Sequence, residues 1–422
     1  MLDIKYIRDH ADEVRAGVRL KGEDASSVDG ALAADEQRRV TLQKVETLKS
    51  RRNTVSADVA RMKSKGEDAS ALIAEMRSVA EEIRELDAAL AAIEENLRAA
   101  LLLIPNLPHA SVPPGRTPAD NRTVATWGEE PAVDFELHPH WELMEKLGII
   151  DFARGTKITG AGFPVYVGRG AQLERALINF FLDEARTRGY TEMGPPLMVN
   201  VASATGTGQL PDKEDQMYVV PRDELFLVPT AEVPVTNYYR DEILPEKQLP
   251  VRFCAYTPCF RREAGSYGRD VRGLNRVHQF NKVELVRLVH PGRSYEDLEE
   301  MRADAERLIQ KLGLRYRVLL MCAGDLGFTQ AKKYDLEVWS AGQSKWLEVS
   351  SISNFESYQA RRMNIRFRPD AGGKPEIVHT LNGSALALPR IVAALLEHYQ
   401  TPEGKIVVPA ALHRYTGFEI IG

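Results

Sequence analysis

The chain has 422 residues, 44% of them hydrophobic and 27% charged, and a formal net charge of −5. These values fit a soluble globular protein of about two domains and exclude a chain that is basic throughout. No apolar run approaches the roughly 18 residues a membrane span requires, the N-terminus lacks a secretory apolar core, and Cys254, Cys259 and Cys322 form neither a ligand cluster nor an even set; the expectation is a reduced, cytoplasmic protein without a structural zinc.

Residues 1–30 read as a small helical cap, with Asp3 capping a helix that carries Ile4, Ile7, Val14 and Val18. From residue 45 a seam runs Val45, Leu48, Arg52, Val55, Val59, Met62, and Lys65-Gly66-Glu67-Asp68 breaks it. A second seam runs Leu72, Met76, Val79, Ile83, Leu86, Leu90, Ile93, Leu97. Steps of three and four sustained in this way predict two heptad helices joined by a short turn, an antiparallel coiled-coil hairpin. Prolines 105, 108, 113 and 114 end it and mark a domain boundary. Residues 37–65 hold nine basic and two acidic residues, a net +7, while residues 67–98 hold three basic and nine acidic, a net −6. Interhelical pairing accounts for part of this asymmetry. A basic ridge for a phosphate backbone accounts for the rest, and the absence of aromatic residues points to backbone or shape contacts rather than base stacking.

In the second part of the chain, Leu173, Leu177, Phe180, Phe181 and Ala185 have helical spacing. The run Thr191–Val199 contains Pro195-Pro196 and reads as an edge strand or an interface. Gly206 to Pro211 reads as a loop. Thr230-Ala231-Glu232 follows a short strand, and its carboxylate either holds an ammonium group or belongs to a helix cap formed by Thr230. The most informative stretch is a hairpin. A strand-like run, Phe253–Phe260, ends in Arg261-Arg262-Glu263, and an alternating run opens at Val277 and continues through Phe280, Lys282 and Glu284. The loop between them holds Gly265, Gly268 and Gly273 and far exceeds the two to five residues a turn needs. With Arg261, Arg262, Arg269, Arg272 and Arg276 it suits an anionic ligand, or it is a solvated loop. Two further alternating runs, Tyr334–Trp339 and Lys345–Ser351, place Glu337 or Glu348 on a sheet face; Glu348 with Ser350 and Ser351 offers hard oxygens suited to Mg²⁺ on phosphates, or these are ordinary solvent-facing groups. Thr380–Arg390 then leads small residues into an apolar helix with Arg390 in its first turns, where a cation opposes the helix dipole and a ligand explains it better than stability does.

Together these stretches resemble the class II aminoacyl-tRNA synthetases, and within them the bacterial seryl-tRNA synthetase family, over essentially the whole chain. Phe260-Arg261-Arg262-Glu263 looks like the second class-defining motif, Asn382–Arg390 like the third, and the helix at 172–188 with its Pro-ending strand like the first, which in this class forms the dimer interface. Thr230-Ala231-Glu232, the run from His278 to Glu284, Glu348-Val349-Ser350-Ser351 and Thr380–Ser384 are similar to the seryl family in particular. Ala385 and Pro389 stand where the family often has glycine, and altered local backbone rather than lost activity is expected there.

The resemblance implies an α+β fold: an antiparallel sheet of six or seven strands flanked by helices (residues 106–422, the catalytic domain) with an N-terminal two-helix coiled-coil arm (residues 1–105) that binds tRNA. It implies a homodimer that uses ATP and Mg²⁺ to attach L-serine to serine tRNA through a seryl-adenylate, and that also serylates selenocysteine tRNA. By the same resemblance Arg261 bridges the α-phosphate and the serine carboxylate, Glu263 contacts the adenine side, and Phe280 and Arg390 sandwich the adenine, Arg390 also meeting the γ-phosphate. Val277 adds backbone contact, and Arg262, Val349 and Ser350 complete the ATP set. Glu348 and Ser351 hold Mg²⁺; Thr230, Ala231 and Glu232 hold the serine amino group; Glu284, Asn382 and Ser384 read its hydroxyl.

Overall fold

The computed structural model describes residues 1–263 and 272–422. The expectations for Gly265, Gly268 and Arg269 lie outside the described residues. The chain divides into two compact units, Met1–Pro105 and Asn106–Gly422.

In the first unit the Asp3 carboxylate accepts from the Lys5 amide at 2.8 Å and opens a helix over Ile4–Asp9, followed by Ala11–Leu20. The next helix spans Ser26–Ser64, 39 residues, and so begins inside the stretch expected to be a separate cap. The reason is burial: Val28 and Ala31 are 0% exposed, as are Ile7, Val14 and Val18, and a continuous helix supplies that apolar face without a break. Gly66 (φ +73°) turns the chain, the Asp68 carboxylate accepts from the Ser70 amide, and Ser70–Leu102 returns as a 33-residue helix about 50 Å long. Every apolar position of the two predicted seams is buried or half-buried. Part of the charge asymmetry is pairing between the helices: Arg38 with Glu94 and Lys49 with Asp87, both at 2.9 Å, and Arg51 with Glu75. Among the described residues Lys44, Arg52, Lys63 and Lys65 make no ion pair, so a basic strip remains on the first helix.

The second unit is built on one sheet of eight strands: β1 (Arg122–Trp127), β2 (Thr191–Glu192), β3 (Val251–Phe260), β4 (Gln279–Val289), β5 (Tyr316–Leu320), β6 (Lys332–Ser340), β7 (Lys345–Asn354) and β8 (His379–Ala387). Their order is β1-β5-β6-β7-β8-β4-β3-β2, antiparallel throughout except for the parallel β3–β2 edge. The expected six or seven strands become eight through the two edges. Strand β2 is only two residues long, cut short before Pro195-Pro196, which offer no amide to a ladder. Strand β1 is exposed along almost its whole length and so carries no apolar alternation to announce it. The predicted hairpin is β3–β4, with Phe260 opposite Gln279 and Ala255 opposite Glu284. Gly206 and Thr207 belong to a helix (Val201–Thr207), and the turn proper begins at Gly208 in the left-handed region.

Strand pleating separates core from site. Val283 and Leu285 of β4 join a cluster with Leu298, Met301, Ile391 and Leu395 from the helices Ser294–Lys311 and Leu388–His398. Each such side chain contributes about 1.5–3 kcal/mol on burial. Arg287, on the same face of β4, is fully buried between Asp297 (2.8 Å), Asp304 (2.9 Å) and the Tyr190 hydroxyl, and ties the strand to the first of these helices. Gly383 of β8 faces the same helix: a Cβ there would lie 3.1 Å from Met301 Sδ and 3.0 Å from Ile352, so any larger residue would require these side chains to shift. Cys254 and Cys259 are fully buried packing residues. The opposite face of the sheet is left for chemistry.

Candidate active site

A cavity of about 460 Å³ opens on that face, and it gathers residues from the Thr230, hairpin, Lys345–Ser351 and Thr380–Arg390 stretches: Thr230, Glu232, Arg261, Glu263, Val277, Phe280, Glu284, Glu348, Val349, Ser350, Ser351, Asn382, Ser384 and Arg390 all line it. Two of the expected residues do not. Ala231 is fully buried in an apolar cluster with Val235, Ala255 and Val286. Arg262 is exposed, and its amide donates to the Gln216 carbonyl at 2.9 Å. In each case the neighbour in sequence, Glu232 or Arg261, takes the inward position.

At the inner end of the cavity sits Glu284, 1% exposed. Its Oε2 takes three donors: Lys282 Nζ at 2.5 Å, Thr230 Oγ1 at 3.3 Å and Ser384 Oγ at 3.4 Å. Among the described residues no hydrogen-bond donor is recorded on Oε1, an oxygen able to accept. Thr230 Oγ1 also accepts from the Glu232 amide at 3.2 Å at the start of the helix Glu232–Thr236, a capping-type contact of the kind its sequence allowed. Glu232 is buried, and its Oε1 accepts from Gln359 Nε2 at 2.7 Å; Thr380 Oγ1 in turn donates to Gln359 Oε1 at 2.7 Å. Burial, and then the charge of Glu284, push the Glu232 carboxyl up to about 7.

Arg261 closes the middle of the cavity. Its guanidinium lies 5.2 Å from the centre of the Phe280 ring and its Nε donates to the Pro229 carbonyl at 3.3 Å. Glu263 pairs with Arg276 at 3.0 Å. At the outer end Arg390 is held by two carbonyls, Nε to Asn275 O at 3.1 Å and Nη1 to Glu348 O at 2.7 Å. Pro389 falls in the first turn of its helix, where no amide is required, and leaves Arg390 in place.

Glu348 and Ser351 reach the same cavity although they stand three positions apart on one strand, an odd spacing that alternation sends to opposite faces. A β-bulge between β6 and β7 accounts for this: Asp335 pairs with Ser351 and Leu336 with Ser350, but Glu337 then pairs with Glu348, skipping Val349. Asp335 lies beneath them, 5% exposed, with one carboxylate oxygen unpartnered and Lys333 Nζ 3.2 Å from the other. Burial, then the charge of Glu348, push Asp335 up to about 7. Glu348, Ser351 and the orphaned Asp335 oxygen are hard donors that fit a cation shared with phosphate oxygens. No group of three or more His, Cys, Asp or Glu residues able to hold a metal occurs among the described residues, so a cation here would need ligand oxygens as well.

Several site residues carried no assignment from the sequence. Lys282 was within reach: in a strand it shares a face with Phe280 and Glu284, and it does so here. Lys333 and Asn275 line the cavity from a strand start and from the segment before β4. Gln359 lies 127 residues from the carboxylate it holds, with no local signal.

The Seryl-tRNA synthetase N-terminal domain family matches residues 1–108, and the tRNA synthetase class II core domain (G, H, P, S and T) family matches residues 218–399. The Serine–tRNA ligase of Salinibacter ruber is 54% identical over 425 residues, covering 100% of this chain and 99% of its own. That of Bacillus subtilis is 54% identical over 418 residues, covering 99% of this chain and 98% of its own. Among solved structures, the seryl-tRNA synthetase of Pyrococcus horikoshii complexed with ATP superposes with a TM-score of 0.94 at 37% identity, over 100% of this chain and 99% of that one.

Proposed function

The chain belongs to the seryl-tRNA synthetase family of class II aminoacyl-tRNA synthetases, serine–tRNA ligases, and from this we propose that its cavity activates L-serine with ATP and passes the seryl group to tRNA through a seryl-adenylate. The observation that carries the reading is Glu284: a buried carboxylate with one oxygen saturated and the other unclaimed, beside a second buried carboxylate, Glu232, and below Arg261. That set matches the three polar groups of serine. Glu284 accepts from the hydroxyl, with Asn382 and Ser384 alongside; Glu232 and Thr230 hold the ammonium; Arg261 faces the carboxylate.

In the first step a serine carboxylate oxygen attacks the α-phosphorus of ATP and pyrophosphate leaves. Arg261 bridges the two reacting groups, so its work is alignment and charge stabilisation rather than covalent participation. Phe280 and Arg390 bracket the adenine, Glu263 meets its edge, and Val277 adds a backbone contact. Glu348 and Ser351 would hold Mg²⁺, which when bound neutralises charge on the phosphates. In the second step the terminal ribose hydroxyl of tRNA attacks the seryl carbonyl and AMP leaves.

The basic strip of the Ser26–Ser64 helix takes a tRNA phosphate backbone, from serine tRNA and also from selenocysteine tRNA. Leu197, Met198 and Val201, each at least 41% exposed near the β2 edge, suit burial against a second copy in a homodimer. No helix among the described residues is long and apolar enough to cross a membrane, and the reaction belongs in the cytoplasm with its tRNA. Serine-dependent exchange of pyrophosphate into ATP tests the first step.

The Glu232 carboxyl adds a pH signature. Below about 7 it carries a proton and loses the negative charge that attracts the serine ammonium, which keeps its own proton across this range. The KM for serine should therefore rise as pH falls below about 7, approaching tenfold per pH unit, while the KM for ATP stays level. Exchange kinetics between about pH 6 and about pH 8.5 measure it, with Glu232→Gln as the flat control. A serine KM independent of pH would contradict the assignment.

A further inference from the structure

Arg390 does not reach its place alone. Its carbonyl partner, Asn275, belongs to residues 272–277, the described end of the hairpin loop, and that segment is tied to a buried pair behind the cavity. His140 and Glu397 are both 0% exposed. His140 Nε2 accepts from the Leu274 amide at 2.9 Å, so it carries no proton, and His140 Nδ1 donates to Glu397 Oε1 at 2.7 Å. Burial alone would push the Glu397 carboxyl up. Hydrogen bonds from His140 and Ser340 outweigh burial and hold it below its usual value. Glu397 also accepts from the His140 amide (3.0 Å), the Gly342 amide (3.1 Å) and Gln343 Nε2 (2.9 Å). Gln343 Oε1 then accepts from Asn275 Nδ2 at 2.8 Å.

The links form a closed ring. Glu397 stands two helical turns after Arg390 on the helix Leu388–His398. From Glu397 the path runs through Gln343 to Asn275, and from the Asn275 carbonyl back to Arg390. Among the described residues one ring atom is unpartnered, the buried Asn275 Oδ1, and the segment around the ring is closely packed. A Cβ on Gly273 (φ +65°) would lie 2.3 Å from His140 Nε2, and the Arg272 guanidinium sits 4.7 Å from the centre of the Trp141 ring.

We propose that His140 and Glu397 are positioning residues for the nucleotide: through Leu274, Gln343 and Asn275 they hold residues 272–277 and Arg390 in the arrangement that receives ATP, without touching it. The proposal rests on reading the outer end of the cavity as the ATP site.

The test is a split between two Michaelis constants in pyrophosphate exchange. Glu397→Gln keeps the volume and removes the charge; it should raise the KM for ATP by about tenfold or more and leave that for serine within about twofold. Gln343→Ala, at a half-buried position, cuts the path from Glu397 to Asn275 and leaves the His140–Glu397 pair and the Leu274 contact in place; it should raise the KM for ATP roughly threefold while the protein stays folded, and it decides the matter if Glu397→Gln does not fold. An unchanged KM for ATP in Gln343→Ala, or parallel rises for ATP and serine in either variant, overturns the proposal. Absence of serine-dependent exchange in the unaltered protein would instead overturn the assigned function.

Discussion

Glu284→Ala abolishes serine-dependent pyrophosphate exchange and leaves ATP binding in place. The substitution removes the acceptor for the serine hydroxyl and leaves Lys282, Thr230 and Ser384 facing a gap. A site built to read a hydroxyl discriminates strongly because its polar groups go unpaired when the partner is missing; the same reasoning, applied from the protein side, sets a loss in kcat/KM for serine of at least about a thousandfold. The proposed ATP contacts lie in the outer half of the cavity, around Phe280 and Arg390, so ATP binding should change by no more than about threefold. Lys282 is 5% exposed and loses its ion-pair partner, which costs stability. Glu284→Gln, which retains an acceptor oxygen and the shape, separates that cost from lost recognition: it should fold and bind ATP, yet remain deficient with serine. Exchange near the wild-type rate in the alanine variant would contradict the role given to Glu284.

Shortening the arm separates the two half-reactions. Excising all of residues 30–100, as the seams suggest, would cut into the first unit's own core, because Ala31 is fully buried and Leu97 nearly so. Asp35 there also accepts from Arg8 at 3.1 Å. A cut confined to residues 41–91, closed by a short glycine-containing turn, keeps Val28, Ala31, Asp35 and the Arg38–Glu94 pair while removing Lys44, Arg52, Lys63 and Lys65. Serine-dependent exchange should remain within about twofold of the intact protein, and charging of serine tRNA should fall by about a hundredfold or more, since several phosphate contacts are lost together. A milder variant, with the four unpaired basic residues changed to glutamine, should weaken charging in a salt-dependent way. Equal loss of exchange and charging after the excision would contradict the division of labour.

What could be read from the sequence follows a physical pattern. Periodic features were legible: the two heptad helices, the β3–β4 hairpin and the helix after Pro389 all repeat a spacing that burial enforces. Residues that carry site chemistry on an obvious strand end or turn, such as Glu232, Arg261 and Arg390, were legible through charge in an unusual place. Irregularity was not. The bulge that brings Glu348 and Ser351 to one face depends on Val349, between them on the same strand, being skipped in the pairing, and alternation alone would have put them on opposite faces. The His140–Leu274 contact joins residues 134 apart and leaves no local mark. Ala231 and Arg262 were drawn into the site by their neighbours' motifs, whereas the local backbone sends one into an apolar cluster and the other to solvent.

The account turns on what the inner end of the cavity recognises, so the amino-acid dependence of ATP–pyrophosphate exchange tests it most directly. Serine should support exchange alone among the common amino acids, with alanine at least about a thousandfold lower in kcat/KM because it leaves Glu284 unpaired, and threonine excluded by the space around Asn382 and Ser384. Exchange supported as well by alanine or by another amino acid, or no exchange with serine at all, would contradict it.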